Sequence, residues 1–203
     1  MNVSEQDRAR ISMAIRAAEK KTSGEIVCVL AQSSSDVTAL PILVAAVVAL
    51  ALPWLLVALT AMSVHRILVL QVLVFVALAL VLCVPQVRVA LVPRRARRAV
   101  AHRAAMEQFT IRGIARTKNR TGILIFVSLA EHYARIIADM GIAGRVPQSE
   151  WQDAIDALVT HMKYGRIADG FIMAIDVCGR VLATHFPRTE TSRDELPDRI
   201  YLI

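Results

Sequence analysis

Apolar residues run without a charge from Leu40 to Met62 and again from Ile67 to Val87, stretches of 23 and 21 residues. As a helix rising 1.5 Å per residue, the first would be roughly 34 Å long, enough to cross a hydrocarbon core of about 30 Å. Only Ser63, Val64, His65 and Arg66 separate the two, so they are expected to form an antiparallel transmembrane hairpin. Pro53 inside the first span and Pro85 near the end of the second predict kinks, which membrane helices tolerate. The first span starts behind a charged segment and lacks the short apolar core and small-residue cleavage site of a secretory signal, so a cleaved leader is not expected.

The flanking segments follow soluble-protein periodicities. Ser4 with Asp7 three residues on resembles a capping box, and Ile11, Ala14, Ile15 and Ala18 recur at helical spacing up to Lys20. Glu25 to Ala31 (EIVCVLA) is a continuous run of strand formers suited to a strand covered on both faces. Ser33, Ser34 and Ser35 lead into the first span. Beyond the hairpin, Pro93 to Ile114 is rich in Ala and Arg and reads as a long helix. Turn chemistry at Thr117 to Gly122 precedes a second strand, Ile123 to Ser128, and Leu129 to His132 connects it tightly to a third, Tyr133 to Ala138. Ser149 with Gln152 marks a second capping box, opening a helix that stops at Gly165, and Ile167 to Leu182 reads as the last helix, although FIMAIDV within it alone would also pass as a strand. From Pro187 the chain is polar, without clear pattern until Ile200 to Ile203.

A helix and one strand before the hairpin cannot fold alone, because fewer than about 40 residues seldom do without a staple. An even number of spans returns the chain to the side it left, so both flanks can share a sheet. The expected organisation is therefore one α/β domain interrupted by the hairpin. Its helix and strand occupy 1–38, the hairpin 39–92, the remainder with a basic juxtamembrane helix 93–186, and a tail 187–203.

Composition sharpens this picture. The chain of 203 residues is 56% hydrophobic with mean hydropathy +0.51, yet its formal net charge is +7. The surplus is local: residues 1–39 hold 5 basic and 5 acidic groups, the loop adds Arg66, and the part after the hairpin holds 18 against 12. Arg88, Arg94, Arg95, Arg97, Arg98 and Arg103 follow the second span closely, whereas the loop between spans carries one basic residue. Both termini are thus expected in the cytoplasm of a multi-pass protein of the bacterial inner membrane. Cys28 and Cys178 look buried, Cys83 falls in the bilayer, and no paired spacing suggests a disulfide or zinc site.

Several segments are familiar. TSGEIVCVL at Thr22 to Leu30, TKNRTGILIFVSLAEHYARIIADMGI at Thr117 to Ile142, Trp151, and HFP at His185 to Pro187 together resemble the TPM-domain family, and more narrowly its bacterial membrane branch, with the domain split by transmembrane helices. The resemblance implies a small α/β/α sandwich with a mixed sheet. Other branches include a thylakoid lumen protein linked to photosystem II repair and acid phosphatase activity, and an auxiliary protein of an acetylcholine receptor channel. This chain departs from them in topology and lacks the Asp-containing opening of the lumenal and secreted branches.

The strongest charge feature is the run Arg94, Arg95, Arg97, Arg98, His102 and Arg103. On a helix, Arg94, Arg95, Arg98 and His102 fall within about one third of the circumference, a face suited to anionic lipid head groups. The same residues also serve as a topological stop signal. Nucleic acid is not expected as a partner, since no aromatic platform or reading motif accompanies the arginines. For hydrolysis, candidates are Asp139 at the end of the third strand, Glu131 beside His132 in the connection, and Arg120 for an anion. No metal-ligand spacing, P-loop or nucleophile elbow occurs. The bland reading makes Glu131 and His132 solvated turn residues and pairs Arg120 with Asp139. The small-residue stripe Ala45, Ala46 and Ala49 suits helix packing and homo-oligomers through the hairpin, while Gln71 alone does not make a pore. The expected function is a non-enzymatic binding or assembly module contacting another membrane protein or anionic lipid, with no cofactor. The alternative is a metal-assisted phosphatase in which Asp139 and Glu131 hold a divalent cation and Arg120 the phosphate.

Overall fold

The structure, a computed structural model, describes residues 3–33, 39–60, 62–84, 93–189 and 194–203. The expectations placed on Ser34, Ser35, Pro85 and Arg88 lie outside the described residues, as does the side chain of Cys83. The chain divides into two compact units, Met1–Ser34 with Val100–Ile203, and Ser35–Ala99.

In the first unit, α1 spans Glu5–Glu19 and opens as expected: Ser4 is its N-cap, and its hydroxyl accepts from the Asp7 N–H at 3.1 Å. Strands β1 (Glu25–Ala31), β2 (Gly122–Ser128) and β3 (Tyr133–Ala138) lie where the apolar runs predict. A fourth strand, β4 (Ile200–Leu202), corrects the reading of the last residues as a tail. The sheet order is β3-β2-β1-β4, with β1 parallel to β2 and β4, and β3 antiparallel to β2. This is the mixed sheet of an α/β fold.

Side-chain alternation explains why β1 and β2 are apolar throughout. Ile26, Cys28 and Leu30 of β1, with Ile123, Ile125 and Val127 of β2, face α1 and the helices α5 (Gln152–Lys163) and α6 (Ile167–His185). Val27, Val29, Leu124 and Phe126 face the other way, against Ala105 and Phe109 of α4 (Arg94–Ile111) and Ile114. Gly113, in left-handed backbone at φ 71°, ends α4. The first turn before α5 is a 3-10 turn over Gln148–Trp151 capped by Pro147, so Ser149 is not the capping residue that the sequence suggests. Proline's fixed φ and missing donor suit that position.

The motifs that carried the resemblance staple this unit. The Thr22 hydroxyl donates to the Phe186 carbonyl at 2.6 Å, and the Thr121 hydroxyl donates to the Ser23 carbonyl at 3.1 Å. Gly141 N–H donates to the Arg120 carbonyl at 3.1 Å, and a Cβ there would lie 2.6 Å from the carbonyl oxygens of both Asn119 and Arg120. Backbone on both sides leaves nothing soft to move, so Gly141→Ala is expected to destabilise the protein by about 1–3 kcal/mol in a denaturation series.

In the second unit, α2 (Ala39–Leu59) and α3 (Val64–Cys83) hold stretches long and apolar enough to cross a membrane: Ile42–Leu59 with mean hydropathy 2.8 and Val64–Leu82 with 2.4. Only 11% and 6% of these stretches is buried, unlike the core helices of a soluble domain. Ala45 and Ala49 are buried, and Ala46, Ala49 and Leu50 share a cleft with Leu68, Gln71, Val72 and Phe75. The small-residue stripe thus lies at the contact between α2 and α3.

Candidate functional site

The acidic candidates from the sequence are not brought together. Asp139 is buried at the end of β3, where its Oδ1 accepts from the Met140 N–H at 2.7 Å and caps the helical turn Met140–Ala143. Glu131 is buried at the opposite end of β3, accepting from the hydroxyls of Ser128 and Ser33. At about 3.3 Å per residue, the six residues of β3 between them hold the two carboxylates roughly 20 Å apart. One cation cannot bridge them, and the site drawn for the alternative hydrolytic mechanism is corrected on that ground. The solvated-turn reading of Glu131 fails as well, since its carboxylate is an internal hydrogen-bond acceptor. Arg120 holds left-handed backbone, φ 53°, and its guanidinium donates to the Met140 sulfur at 3.2 Å; no Arg120–Asp139 ion pair occurs among the described residues.

The basic run opens α4. Arg94, Arg95, Arg98 and Arg103 are exposed, Arg97 and His102 half-buried. His102 Nδ1 lies 3.2 Å from the Tyr133 hydroxyl, which ties it to β3.

A different cluster of carboxylates gathers where the sequence offered no motif. Glu19 ends α1, Glu25 begins β1, and Asp194 and Asp198 come from the segment leading into β4. With Arg16, Lys20, Thr22, Ser23 and Arg188 they line a cavity of about 320 Å³. Carboxylate oxygens of Glu19, Asp194 and Asp198 lie within 4.8 Å of one another. Each acid has a distinct anchor. One Glu19 oxygen accepts from the Ile26 N–H at 2.8 Å. Both Glu25 oxygens accept backbone N–H groups of the incoming segment, from Glu195 at 3.3 Å and Leu196 at 3.2 Å, so Glu25 clamps that segment beside β1. Asp198 Oδ2 accepts from Arg16 at 2.9 Å, while its Oδ1 is buried with no hydrogen-bond partner. The Arg188 guanidinium donates to the Glu19 backbone carbonyl at 2.9 Å.

Burial sets the electrostatics. It pushes the Glu19 carboxyl up to about 10, with help from Asp198 within hydrogen-bonding reach and against the Ile26 N–H, which favours the anion. Glu25 is pushed up to about 7, again chiefly by burial, while the Glu195 and Leu196 N–H groups hold it down. Asp194 is raised by burial and then by the Asp198 charge. At neutral pH Glu19 therefore keeps its proton and can donate it to the neighbouring Asp198 carboxylate. Cys28 and Cys178 are buried as expected, and burial pushes both thiols up, which makes them inert packing groups.

Sequence comparison matches residues 84–181 to the TPM domain. The match includes Arg120, Glu131 and Asp139, while Glu19, Glu25, Asp194 and Asp198 fall outside it. Among solved structures, the NMR structure of the BA42 protein from the psychrophilic bacterium Bizionia argentinensis is 22% identical, with a TM-score of 0.63 over 100% of this chain and 96% of that one. No curated protein matches. The BA42 likeness is one of fold.

Proposed function

We propose that this chain, which carries a TPM domain, is a two-span membrane protein of the bacterial inner membrane that presents its α/β unit in the cytoplasm as a binding module beside anionic lipid. One observation carries the reading. β1 and β2 pair in parallel over seven positions, Glu25↔Gly122 to Ala31↔Ser128, although α2 and α3 lie between them in the chain. Strands of one sheet share one side of a membrane, so the intervening segment crosses an even number of times. The two apolar helices supply two crossings. The side follows from the arginines that open α4, set against the single Arg66 of the loop.

The same arginines supply the binding face. Near an anionic surface each contributes about 1 kcal/mol, so four together select acidic lipid strongly. The full chain would be reconstituted into nanodiscs of mixed zwitterionic and anionic lipid. Retention of anionic lipid is expected to exceed its bulk share, and to fall when Arg94, Arg95, Arg97 and Arg98 become Ala. Equal retention in the variant would sink the lipid face and leave a protein partner as the ligand of this module. For orientation, a cysteine in place of Ser63 should react with an impermeant maleimide from outside the cell and one in place of Lys118 should not; the reverse pattern would overturn the cytoplasmic placement.

A further inference from the structure

We infer that the free edge of β3 is a docking site for an extended acidic peptide, which adds to the sheet as a further, antiparallel strand. β3 ends the order β3-β2-β1-β4, so among the described residues only β2 pairs with it. Its register fixes which backbone groups remain. Asp139 N–H donates to the Gly122 carbonyl at 2.9 Å, so the odd-numbered positions of β3 are the ones that bond β2. The N–H and C=O groups of Ala134, Ile136 and Ala138 therefore point away from the sheet. That edge opens into a cavity of about 320 Å³. His102 and Met106 of α4 stand with Arg135 on one side of it, and Ala143, Val146 and Trp151 on the other. The Gln148 amide donates to the Ile136 carbonyl there at 3.5 Å, a long bond that the N–H of an added strand can replace.

The two walls select the occupant. Successive side chains of an added strand alternate between the layers, so every second one meets Arg135 and His102. Arg135 is exposed and makes no ion pair among the described residues. His102 is held by the Tyr133 hydroxyl through Nδ1, which leaves Nε2 for a ligand. No acidic side chain lines this cavity among the described residues. The intervening side chains of the added strand meet Val146 and Trp151, an apolar wall. The complement is a segment in which acidic and apolar residues alternate, held by main-chain pairing and selected by charge. A second copy of this chain does not fit. Two β3 edges joined antiparallel would carry their Arg135 side chains on one face of the sheet, like charge beside like charge. A charge can also blunt an edge against aggregation, but such an edge needs no cavity beside it. The site is built from residues other than the arginines that open α4, so it goes beyond the lipid face and is tested apart from it.

The full chain in nanodiscs of zwitterionic lipid would be titrated into a fluorescent, end-blocked peptide of roughly eight residues alternating glutamate and valine. A rise in anisotropy is expected, with a change in Trp151 emission in a Trp54→Phe background. A peptide alternating lysine and valine should bind at least about tenfold more weakly. Arg135 is exposed, so R135E retains the fold, and it should reverse the preference between the two peptides. In an antiparallel pair the valine N–H groups face β3, because the valines share a layer with Ala134, Ile136 and Ala138. Methylating the valine nitrogens should therefore abolish binding, and methylating the glutamate nitrogens should not. Replacing Arg94, Arg95, Arg97 and Arg98 by Ala removes the lipid face and should leave peptide binding in place. No binding of the acidic peptide, a preference unchanged in R135E, equal tolerance of the two methylated peptides, or loss of binding in the four-arginine variant would each overturn the site.

Discussion

Phe126→Ala is expected to destabilise the protein by about 3–5 kcal/mol, and Phe126→Leu by less than about 1.5 kcal/mol. The layer that Phe126 fills explains the size of the effect. It is fully buried on β2, a strand with β1 on one side and β3 on the other, so its backbone cannot shift to close a void. Its ring meets Tyr133 edge-on at 6.4 Å between centroids. On that face the covering helix α4 contributes Ala101, Ala105 and Phe109 as its buried residues, two of them too small to expand into the gap. On the opposite face, covered by α1, α5 and α6, the much smaller truncation Ile125→Val removes one methylene and should cost only about 0.5–1.5 kcal/mol. Trp151 lies in that opposite layer. Its emission, in a Trp54→Phe background, would report global unfolding of the α/β unit. A loss near 1 kcal/mol for Phe126→Ala would show that α4 re-seats on the sheet, and that this face is plastic.

How far the sequence reveals this molecule depends on whether an element's partners are local. α1 is legible because its cap, Ser4, is seven residues from its first buried position, Ile11, and β1 and β2 because burial on both faces removes every charge from their interiors. The β2–β3 connection is legible because two adjacent apolar runs have only four residues to turn in. β4 is not, since three residues, Ile200, Tyr201 and Leu202, acquire strand character only by pairing with β1, more than 160 positions away. The carboxylate cluster is hidden for the same reason. Glu19 reads as the solvated end of α1 and DELPD at Asp194–Asp198 as a polar tail, until Glu25 draws that segment against β1. Asp139 and Glu131 mislead in the other direction. Both sit at strand ends where ligands often bind, but β3 runs between them and holds them apart.

Stability is expected to fall as pH rises from about 5 to 8 in the presence of chelator, and E19Q to abolish most of that slope. The sign follows from linkage. A carboxyl whose pKa is raised by folding binds its proton more tightly in the folded state, so its stabilisation is complete below the unfolded value of 4.5 and is lost as pH climbs towards the folded value. For Glu25 the window closes at about 7, and for Glu19 it extends to about 10. Each fully responsive group costs about 1.4 kcal/mol for every pH unit inside its window. Glu19 supplies most of the slope because Asp198 within hydrogen-bonding reach adds to the effect of burial, whereas the Glu195 and Leu196 N–H groups hold Glu25 down. E19Q cannot ionise, so above about pH 5 it should be the more stable protein, by several kcal/mol near pH 8. Denaturation midpoints of the two proteins measured across this range would decide it. Parallel curves would mean that Glu19 stays ionised beside Asp198, its charge neutralised by the Arg16 and Arg188 guanidiniums that line the same cavity rather than by a proton.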